Sequence, residues 1–199
     1  ARIQPGDTVL IHGATGTAGR VAVPLAKYLG AGKVIATARK QTALDELEAQ
    51  GADVTVAFDV DANPQGAKAF EEALGPCLAQ GVDVVVDYLW GKSAEVLIAA
   101  IARAAGDASP VRFVHVGAAS GADITLPGAA LRSSGIVLMG SGLRSVPLDE
   151  LLGAVGHVYD AVQPASLRIA TRAVPLAAVE AAWNADAGGA RTVFVIDGA

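Results

Sequence analysis

Cysteine is almost absent from this chain of 199 residues. Its only cysteine is Cys77, so no disulfide can form within the chain and no zinc site can be built from thiolates, which fits a reducing cytosol. The histidines His12, His115 and His157 are far apart, and neither an HxxxH nor a CxxC spacing occurs. We therefore expect no metal site.

Long apolar runs and basic clusters are also missing. No uninterrupted apolar run approaches the roughly 20 residues that a bilayer-spanning helix needs, and the first residues lack the charged-then-apolar order of a signal peptide. The net charge is -5, and the basic residues form no stripe interleaved with aromatics. We expect a cytoplasmic protein with neither a nucleic-acid nor a membrane partner.

Aromatic residues make up 5% of the chain although 52% of it is hydrophobic, so the core must be built from Val, Ala, Leu and Ile. Continuous Val/Ile runs of this kind are typical of parallel strands that are covered by helices on both faces. The sequence therefore predicts an α/β fold for residues 1–145, a Rossmann-type doubly wound six-stranded parallel sheet. The predicted strands are 9–11, 34–38, 54–58, 82–86, 111–116 and 136–139, and the helices are 20–29, 42–50, 67–78 and 94–105.

The pattern changes after Gly142, and residues 146–199 form a short C-terminal α/β appendage in this prediction. It completes the domain or packs on a catalytic domain that is missing from the chain. The predicted elements are a helix at 146–161, a strand at 166–171, a short helix at 177–184 and a strand at 192–196. The Gly/Ala-rich stretches 104–109 and 185–190 are expected to be loops.

A glycine-spaced turn lies between the first strand and the first helix. Such a turn lets the backbone approach a pyrophosphate closely, and the first N–H groups and the dipole of the helix face the anion. The turn predicts a dinucleotide site made by Gly13, Ala14, Thr15, Gly16, Thr17, Ala18 and Gly19.

The end of the second strand reads Thr37-Ala38-Arg39-Lys40, where NAD-selective sites carry a carboxylate for the ribose 2′-hydroxyl. No carboxylate is present, and the two cations are suited to pair with a 2′-phosphate. We therefore predict NADP(H) as the cofactor. The alternative is that Arg39 and Lys40 only begin a solvated helix.

Further cofactor contacts are expected where the other strands end, because ligands of this fold lie across the carboxyl ends of the strands. Tyr88 would flank the nicotinamide ribose, or it would only anchor a loop. Backbone near Ser141 would hold the carboxamide. The predicted contacts are Asp87, Tyr88, Val116, Gly117, Ala118, Gly140, Ser141 and Gly142.

No catalytic group can be named from the residues. His12 and His115 are expected to be hydrogen-bonded interior or loop-stabilising residues, and His157 a surface residue of the late helix. Tyr88 and Lys92 have the Tyr-x-x-x-Lys spacing of short-chain reductases, but Gly91 lies between them directly after a strand, so a shared helical face is doubtful.

The order of several motifs resembles the medium-chain dehydrogenase/reductases, in particular their zinc-independent quinone oxidoreductase-like branch. These motifs are Ile3-Gln-Pro-Gly-Asp-Thr-Val-Leu-Ile-His-Gly-Ala-Thr-Gly-Thr-Ala-Gly19, Leu25-Ala-Lys-Tyr-Leu-Gly-Ala31, Gly51-Ala-Asp53, Gly81-Val-Asp-Val-Val-Val-Asp87 and Val174-Pro-Leu-Ala-Ala-Val-Glu-Ala-Ala-Trp183. The resemblance implies an NADPH-dependent oxidoreductase that passes hydride to a small-molecule quinone or α,β-unsaturated carbonyl.

Members of that family begin with a GroES-like catalytic domain, which this chain lacks, and we expect an excised cofactor-binding domain with little catalysis of its own. The resemblance also implies a homodimer that pairs through the edge strand 136–139. Residues 116–120 lack the lysine that polyketide enoyl reductases carry after the fifth strand. Two rivals remain: a non-catalytic NADP-binding sensor or assembly module, and a short-chain-type reductase.

Overall fold

The main sheet has six parallel strands in the order β3-β2-β1-β4-β5-β6. A computed structural model describes residues 1–61, 63–104, 110–185 and 189–196. The reversal of strand order beside β1 is that of a doubly wound Rossmann-type sheet, which confirms the predicted fold class. The strands are β1 (Thr8–His12), β2 (Lys33–Ala38), β3 (Val54–Ala57), β4 (Val84–Asp87), β5 (Val111–His115) and β6 (Ile136–Gly140).

Helices cover both faces of this sheet. One face packs against Val23 of α1 and Leu44 of α2, and the other packs against Phe70 of α3 and Leu97 of α4. Side chains alternate between the two faces along a strand, so both faces can be buried only if every strand residue is apolar or internally bonded. The helices are α1 (Thr17–Tyr28), α2 (Gln41–Ala49), α3 (Gly66–Leu78), α4 (Gly91–Ala104), α5 (Gly128–Arg132) and α6 (Leu148–Ala161).

Two of these helices begin one turn earlier than the hydrophobic pattern predicts. α1 starts at Thr17 instead of residue 20, and α4 starts at Gly91 instead of residue 94. Their first turns, Thr17-Ala18-Gly19 and Gly91-Lys92-Ser93, show no apolar periodicity, yet those turns face the carboxyl edge of the sheet. The early starts therefore bring both helix N-termini to the edge where the predicted cofactor residues lie.

β6 forms an edge of the sheet, as expected. Ile136 is buried, whereas Val137 is about half exposed at 48%. The five-residue helix α5 was not predicted, because so short a segment shows no helical period.

The C-terminal segment forms a second, two-stranded parallel sheet of β7 (Thr171–Pro175) and β8 (Arg191–Val195). The predicted strand at 166–171 is wrong. Leu167 N–H donates to the carbonyl of Val162, and Ser166 has a left-handed φ of 51°, so the chain is still turning there.

The predicted helix at 177–184 is a 3₁₀ turn (Leu176–Ala178) followed by one helical turn, α7 (Val179–Ala182). The predicted loops at 104–109 and 185–190 lie largely outside the described residues. In the described part of the chain, every helix is too short or too polar to cross a lipid bilayer.

Candidate cofactor site

The glycine turn joins β1 to α1 at the carboxyl edge of the sheet. The backbone N–H groups of Gly13 and Ala14 both donate to the carbonyl of Thr37, at 3.1 and 3.0 Å, so the turn is tied to the end of β2. The predicted pyrophosphate residues and the predicted selectivity residues are thereby held side by side.

Two glycines of this turn are required by the packing. A Cβ on Gly19 would lie 2.6 Å from the carbonyl oxygen of Gly13 and 2.7 Å from the Cα of Ala14, both backbone atoms. Gly13 has a φ of +84°, in the left-handed region that favours glycine. Gly19 therefore lets α1 approach the strand–turn junction closely, while Gly13 supplies the left-handed turn and leaves room for the Leu89 side chain.

Gly16 differs, because a Cβ there would meet only the Gly13 carbonyl oxygen, at 3.8 Å. Its φ of -68° and ψ of 161° are open to any residue. The absence of a side chain leaves space in front of the first turn of α1, which is the space that an approaching phosphate would occupy.

Neither the N-cap nor the first turn of α1 supplies a side chain that offsets the positive end of the helix. The N-cap residue Gly16 makes no side-chain hydrogen bond, and the first turn carries no acidic residue. The first N–H groups of any helix lack intrahelical partners, and the dipole places about half a positive charge there. This end of α1 is therefore suited to an anion, and the turn fits the pyrophosphate of a dinucleotide.

A guanidinium ties the turn to α2. Arg20 Nε donates to the carbonyl of Thr15 at 3.1 Å, and Arg20 Nη1 lies 2.7 Å from Glu46 Oε2. α2 begins directly after the Arg39-Lys40 pair, so Arg20 links the two parts of the site.

Arg39 and Lys40 are exposed at the end of β2, and their side chains form no ion pair or hydrogen bond with any described residue. Lys40 is the N-cap of α2, which has neither a side-chain cap nor an acidic residue in its first turn. Two free cations and an uncompensated helix dipole thus meet at one place. This arrangement attracts an anion such as a 2′-phosphate.

His12 lies beneath the turn and is fully buried. Its Nδ1 is 2.6 Å from Thr37 Oγ1 and its Nε2 is 2.9 Å from Ser93 Oγ, while its ring packs on Phe58 and Phe70. Burial lowers the pKa of His12 to about 3, so the ring is neutral. The expectation of a hydrogen-bonded interior histidine is confirmed, and His12 joins β1, β2 and α4 under the site.

Asp87 ends β4 and is completely buried. Its Oδ1 accepts from the N–H of Leu89 at 2.9 Å, and Oδ2 accepts from the N–H of Trp90 at 3.1 Å. Burial raises the pKa of this carboxyl group, because the charged form loses its hydration. Asp87 thus shapes the turn that follows β4.

Tyr88 is half-buried against the α1 face of the core, and burial raises the pKa of its hydroxyl. It precedes Gly91, the first residue of α4, and Gly91 has a φ of +60°. Tyr88 and exposed Lys92 therefore do not share a helical face, which removes the geometry that a short-chain reductase needs.

His115 departs from its expectation. Its Nδ1 is buried and has no hydrogen-bond partner among the described residues; the nearest charged atom is Asp87 Oδ2, at 3.8 Å. His157 lies in α6 and is exposed, as predicted. The spacing of histidines in the sequence carries no signal that separates the paired His12 from the unpaired His115.

The ends of β5 and β6 meet beside His115, whose carbonyl accepts from the N–H of Ser141 at 2.8 Å. The N–H of Gly142 donates to Ser145 Oγ at 2.9 Å. Both N–H groups are therefore engaged within the protein. A carboxamide held near Ser141 would have to use its hydroxyl or the backbone carbonyls.

The remaining predicted contacts, Val116, Gly117 and Ala118, follow β5 at the same edge. The N–H groups of Val116 and Gly117 donate to the carbonyl of Asp87, at 2.7 and 3.2 Å. The structure thus brings the five groups of predicted residues, which follow β1, β2, β4, β5 and β6, to one edge of the sheet. Across the described ranges, no cluster of three or more His, Cys, Asp or Glu side chains could hold a metal ion.

No protein-family model matches the chain. A probable NADPH-dependent quinone reductase of Emericella nidulans is 29% identical over 200 residues, which cover 96% of this chain and 54% of that protein. A 2-haloacrylate reductase of a Burkholderia species is 33% identical over 123 residues, 57% of this chain and 35% of that protein. The chain thus spans about half the length of the first relative and about a third of the length of the second.

Solved structures agree in fold. A 2-haloacrylate reductase aligns with a TM-score of 0.77 and 23% identity over 99% of this chain and 60% of that one. The quinone oxidoreductase of Thermus thermophilus, solved also with NADPH, aligns with a TM-score of 0.63 and 26% identity over 92% and 55%.

The relatives and structural neighbours of this chain all belong to the medium-chain dehydrogenase/reductase superfamily. This assignment confirms the resemblance that the motif order indicates. Within the superfamily, its relatives and structural neighbours are quinone oxidoreductases, 2-haloacrylate reductase and enoyl reductases.

Proposed function

We propose that this chain is the NADPH-binding part of a zinc-independent medium-chain reductase that transfers hydride to a quinone or an α,β-unsaturated carbonyl compound. Two of its relatives, a probable NADPH-dependent quinone reductase and a 2-haloacrylate reductase, support this substrate class. Residues 1–145 form the cofactor domain, and residues 146–199 form the appended segment.

The observation that carries the cofactor assignment is the free positive charge where β2 ends. Arg39 and Lys40 stand at the uncapped N-terminus of α2, and no carboxylate is present to accept from a ribose 2′-hydroxyl. A charge-assisted hydrogen bond contributes roughly 1.5 to 3 kcal/mol, less at an exposed site because water screens it. Two such contacts favour NADPH over NADH by about two orders of magnitude.

The remaining residues hold the other parts of the cofactor. The glycine turn and the N-terminus of α1 bind the pyrophosphate, and the ends of β4, β5 and β6 orient the nicotinamide half. NADPH, when bound, supplies the hydride. The chain's own residues fix its position and screen it from water.

The exposed apolar side chains of the C-terminal segment support the proposal that a neighbouring domain packs against this segment. Leu148, Leu152 and Tyr159 on α6 are 68%, 62% and 75% exposed, and Trp183 is 72% exposed. Exposed apolar clusters of this kind mark interaction surfaces. We assign them to a GroES-like catalytic domain preceding this chain in the whole protein, so the chain alone binds cofactor with little turnover.

Two further proposals concern assembly and location. The exposed edge of β6, with Val137 half exposed, is suited to pair with the same edge of a second copy in a homodimer. The single buried cysteine fits the reducing cytoplasm.

Arg39→Ala tests the cofactor assignment. We expect the NADPH affinity of the variant to fall about tenfold with the NADH affinity nearly unchanged, measured by titrating nicotinamide fluorescence. Arg132→Ala is the matched control, since it also removes one exposed arginine but lies on α5. Equal losses for both cofactors, or an equal effect of the control, would contradict the assignment. Oxidation of NADPH by the full-length protein with enones or quinones separates a reductase from a binding-only sensor.

A further inference from the structure

His12 is the last residue of β1, the strand beside which the strand order of the sheet reverses. In the sheet it lies between Thr37 of β2 and Asp87 of β4. Its carbonyl accepts from the N–H of Tyr88 at 3.1 Å, and Gly13 of the turn follows it directly. His12 therefore lies between the residues proposed for the pyrophosphate and those proposed for the nicotinamide.

Two hydroxyl groups contact the buried imidazole ring of His12. Its Nδ1 lies 2.6 Å from Thr37 Oγ1 and its Nε2 lies 2.9 Å from Ser93 Oγ. Ser93 Oγ in turn lies 3.4 Å from the carbonyl oxygen of Trp90, whereas Thr37 Oγ1 has no second hydrogen-bond partner among the described residues. Because burial lowers the pKa of the ring to about 3, the ring is neutral, and one nitrogen carries a hydrogen while the other can only accept.

Only one of the two neutral forms of the ring gives every polar hydrogen of this group an acceptor. With the hydrogen on Nε2, the Thr37 hydroxyl donates to Nδ1, the Nε2–H donates to Ser93 Oγ, and the Ser93 hydroxyl donates to the Trp90 carbonyl. With the hydrogen on Nδ1, that nitrogen donates to Thr37 Oγ1, and the Thr37 hydroxyl has no acceptor among the described residues. Thr37 is fully buried, so bulk water cannot supply one. A buried hydroxyl group without an acceptor is costly, which favours the Nε2–H form.

We propose that Thr37, His12 and Ser93 form a hydrogen-bonded network in which His12 is the Nε2–H tautomer, and that this network positions both halves of the cofactor site. This inference rests on the proposed cofactor function. We call the three residues the His12 network. His12 is a positioning residue, because its ring lies beneath the turn and acts on the cofactor only through its partners.

The His12 network acts on the glycine turn through Thr37. The carbonyl of Thr37 accepts from the N–H groups of Gly13 and Ala14, and the hydroxyl of the same residue is held by His12. A buried polar network that is fully satisfied is rigid, so it fixes the Thr37 peptide group and with it the turn. At the other end, Ser93 lies in the first turn of α4, directly after the proposed nicotinamide contacts that follow β4.

The tautomer is tested by nuclear magnetic resonance on the isotope-labelled chain without cofactor. Long-range proton–nitrogen correlation distinguishes a ring nitrogen that carries a hydrogen from one that does not. The chain has three histidines, so His115→Gln and His157→Gln identify the His12 signals by elimination. We expect a protonated Nε2 and an unprotonated Nδ1, whose resonance should move in Thr37→Val because its donor is then absent. A protonated Nδ1 overturns the proposal.

The positioning role is tested by titrating NADPH and NADH on variants of the His12 network. Thr37→Val keeps the branched shape and removes the hydroxyl, which is buried and cannot touch the cofactor. We expect both affinities to fall about fivefold, because the turn serves both cofactors. Thr37→Ser restores the hydroxyl and should recover most of the affinity. Thr55→Val is the matched control, since it removes the hydroxyl of a neighbouring strand, which donates to Glu48 Oε1 at 2.8 Å, and it should bind both cofactors as the wild type does.

Ser93→Ala breaks the His12 network at its other end and should also weaken both cofactors. Thermal melting checks that each variant is folded. Unchanged affinities in folded Thr37→Val and folded Ser93→Ala overturn the proposal, because the hydroxyl groups would then serve stability alone. Thr37→Ser that binds no better than Thr37→Val overturns it as well. A wild-type chain that binds neither cofactor refutes the proposed function and the positioning role with it, while the tautomer, which is read without cofactor, is decided separately.

Discussion

Replacing the glycines of the turn one at a time should separate the fold of the site from its binding. In Gly19→Ala, the new methyl group would lie 2.6 to 2.8 Å from backbone atoms of Gly13 and Ala14. Backbone cannot rotate away as a side chain can, so α1 must move off the turn. Overpacking of this kind costs about 1 to 3 kcal/mol, which lowers the Tm by roughly 2 to 12 °C in a chain of this size.

In Gly16→Ala, by contrast, the methyl group meets nothing closer than 3.8 Å, and the φ of -68° suits alanine. Alanine is a poorer N-cap than glycine by about 0.5 to 1 kcal/mol, and it lowers the entropy of the unfolded chain by a similar amount. These effects offset each other, so the Tm should change by less than about 2 °C. The methyl group nonetheless fills the space before the first turn of α1, and NADPH affinity should fall about tenfold or more.

The assay pairs a thermal melt with an NADPH fluorescence titration on each variant. Gly153→Ala is the control, since Gly153 lies in exposed α6 with nothing within 4 Å of its added Cβ. We expect Gly16→Ala to be as stable as the wild type but to bind NADPH weakly, and Gly19→Ala to be destabilised. Normal NADPH affinity in Gly16→Ala would refute the turn as the pyrophosphate site, whatever the melts show.

Two other predictions concern stability and assembly. The buried ring of His12 has a pKa of about 3, whereas an unfolded histidine takes up its proton near pH 6.5. The unfolded state therefore binds more protons between these two values, and the folded state loses stability as the pH falls through that range. Between pH 6.5 and pH 4, the free energy of unfolding measured in urea should fall by about 3 kcal/mol because of this residue. His12→Gln should not show this loss, and the same pH dependence of the free energy in both proteins would contradict the prediction. In light scattering, the wild-type chain should be a dimer and Val137→Lys, on the β6 edge, a monomer of 19.9 kDa. A wild-type chain that is monomeric at high concentration would contradict the edge pairing.

The six strands of the main sheet could be predicted because both of its faces are buried. A strand such as β1, with Val9, Leu10 and Ile11 all fully buried, must be apolar at every position, and this leaves a continuous run in the sequence. The short elements of the C-terminal segment leave no such run. β7 alternates between half-buried and exposed residues and pairs with β8 about twenty residues later, so its limits depend on a partner that local sequence does not reveal.

The candidate site, like the fold, has parts that could be predicted from the sequence and parts that could not. The glycine turn and the Arg39-Lys40 pair could be predicted because their chemistry is local: a few successive residues supply the free N–H groups and the positive charge. His115 could not be interpreted correctly, because its Nδ1 has no hydrogen-bond partner among the described residues and its nearest charged atom, Asp87 Oδ2, belongs to another strand. The left-handed φ of Trp90, whose N–H donates to the carboxylate of Asp87, was equally hidden, since no sequence pattern marks it.

The amino-acid sequence by itself determined the doubly wound sheet, the glycine turn and the positive charge beside it, since each arises from neighbouring residues or from runs of buried strand. Only the tertiary structure decided which polar groups are satisfied and which are left open, because that depends on contacts between strands far apart in the chain. Thr37 and Ser93 satisfy His12 under the turn, while His115, one strand beyond Asp87, keeps a nitrogen without a partner among the described residues.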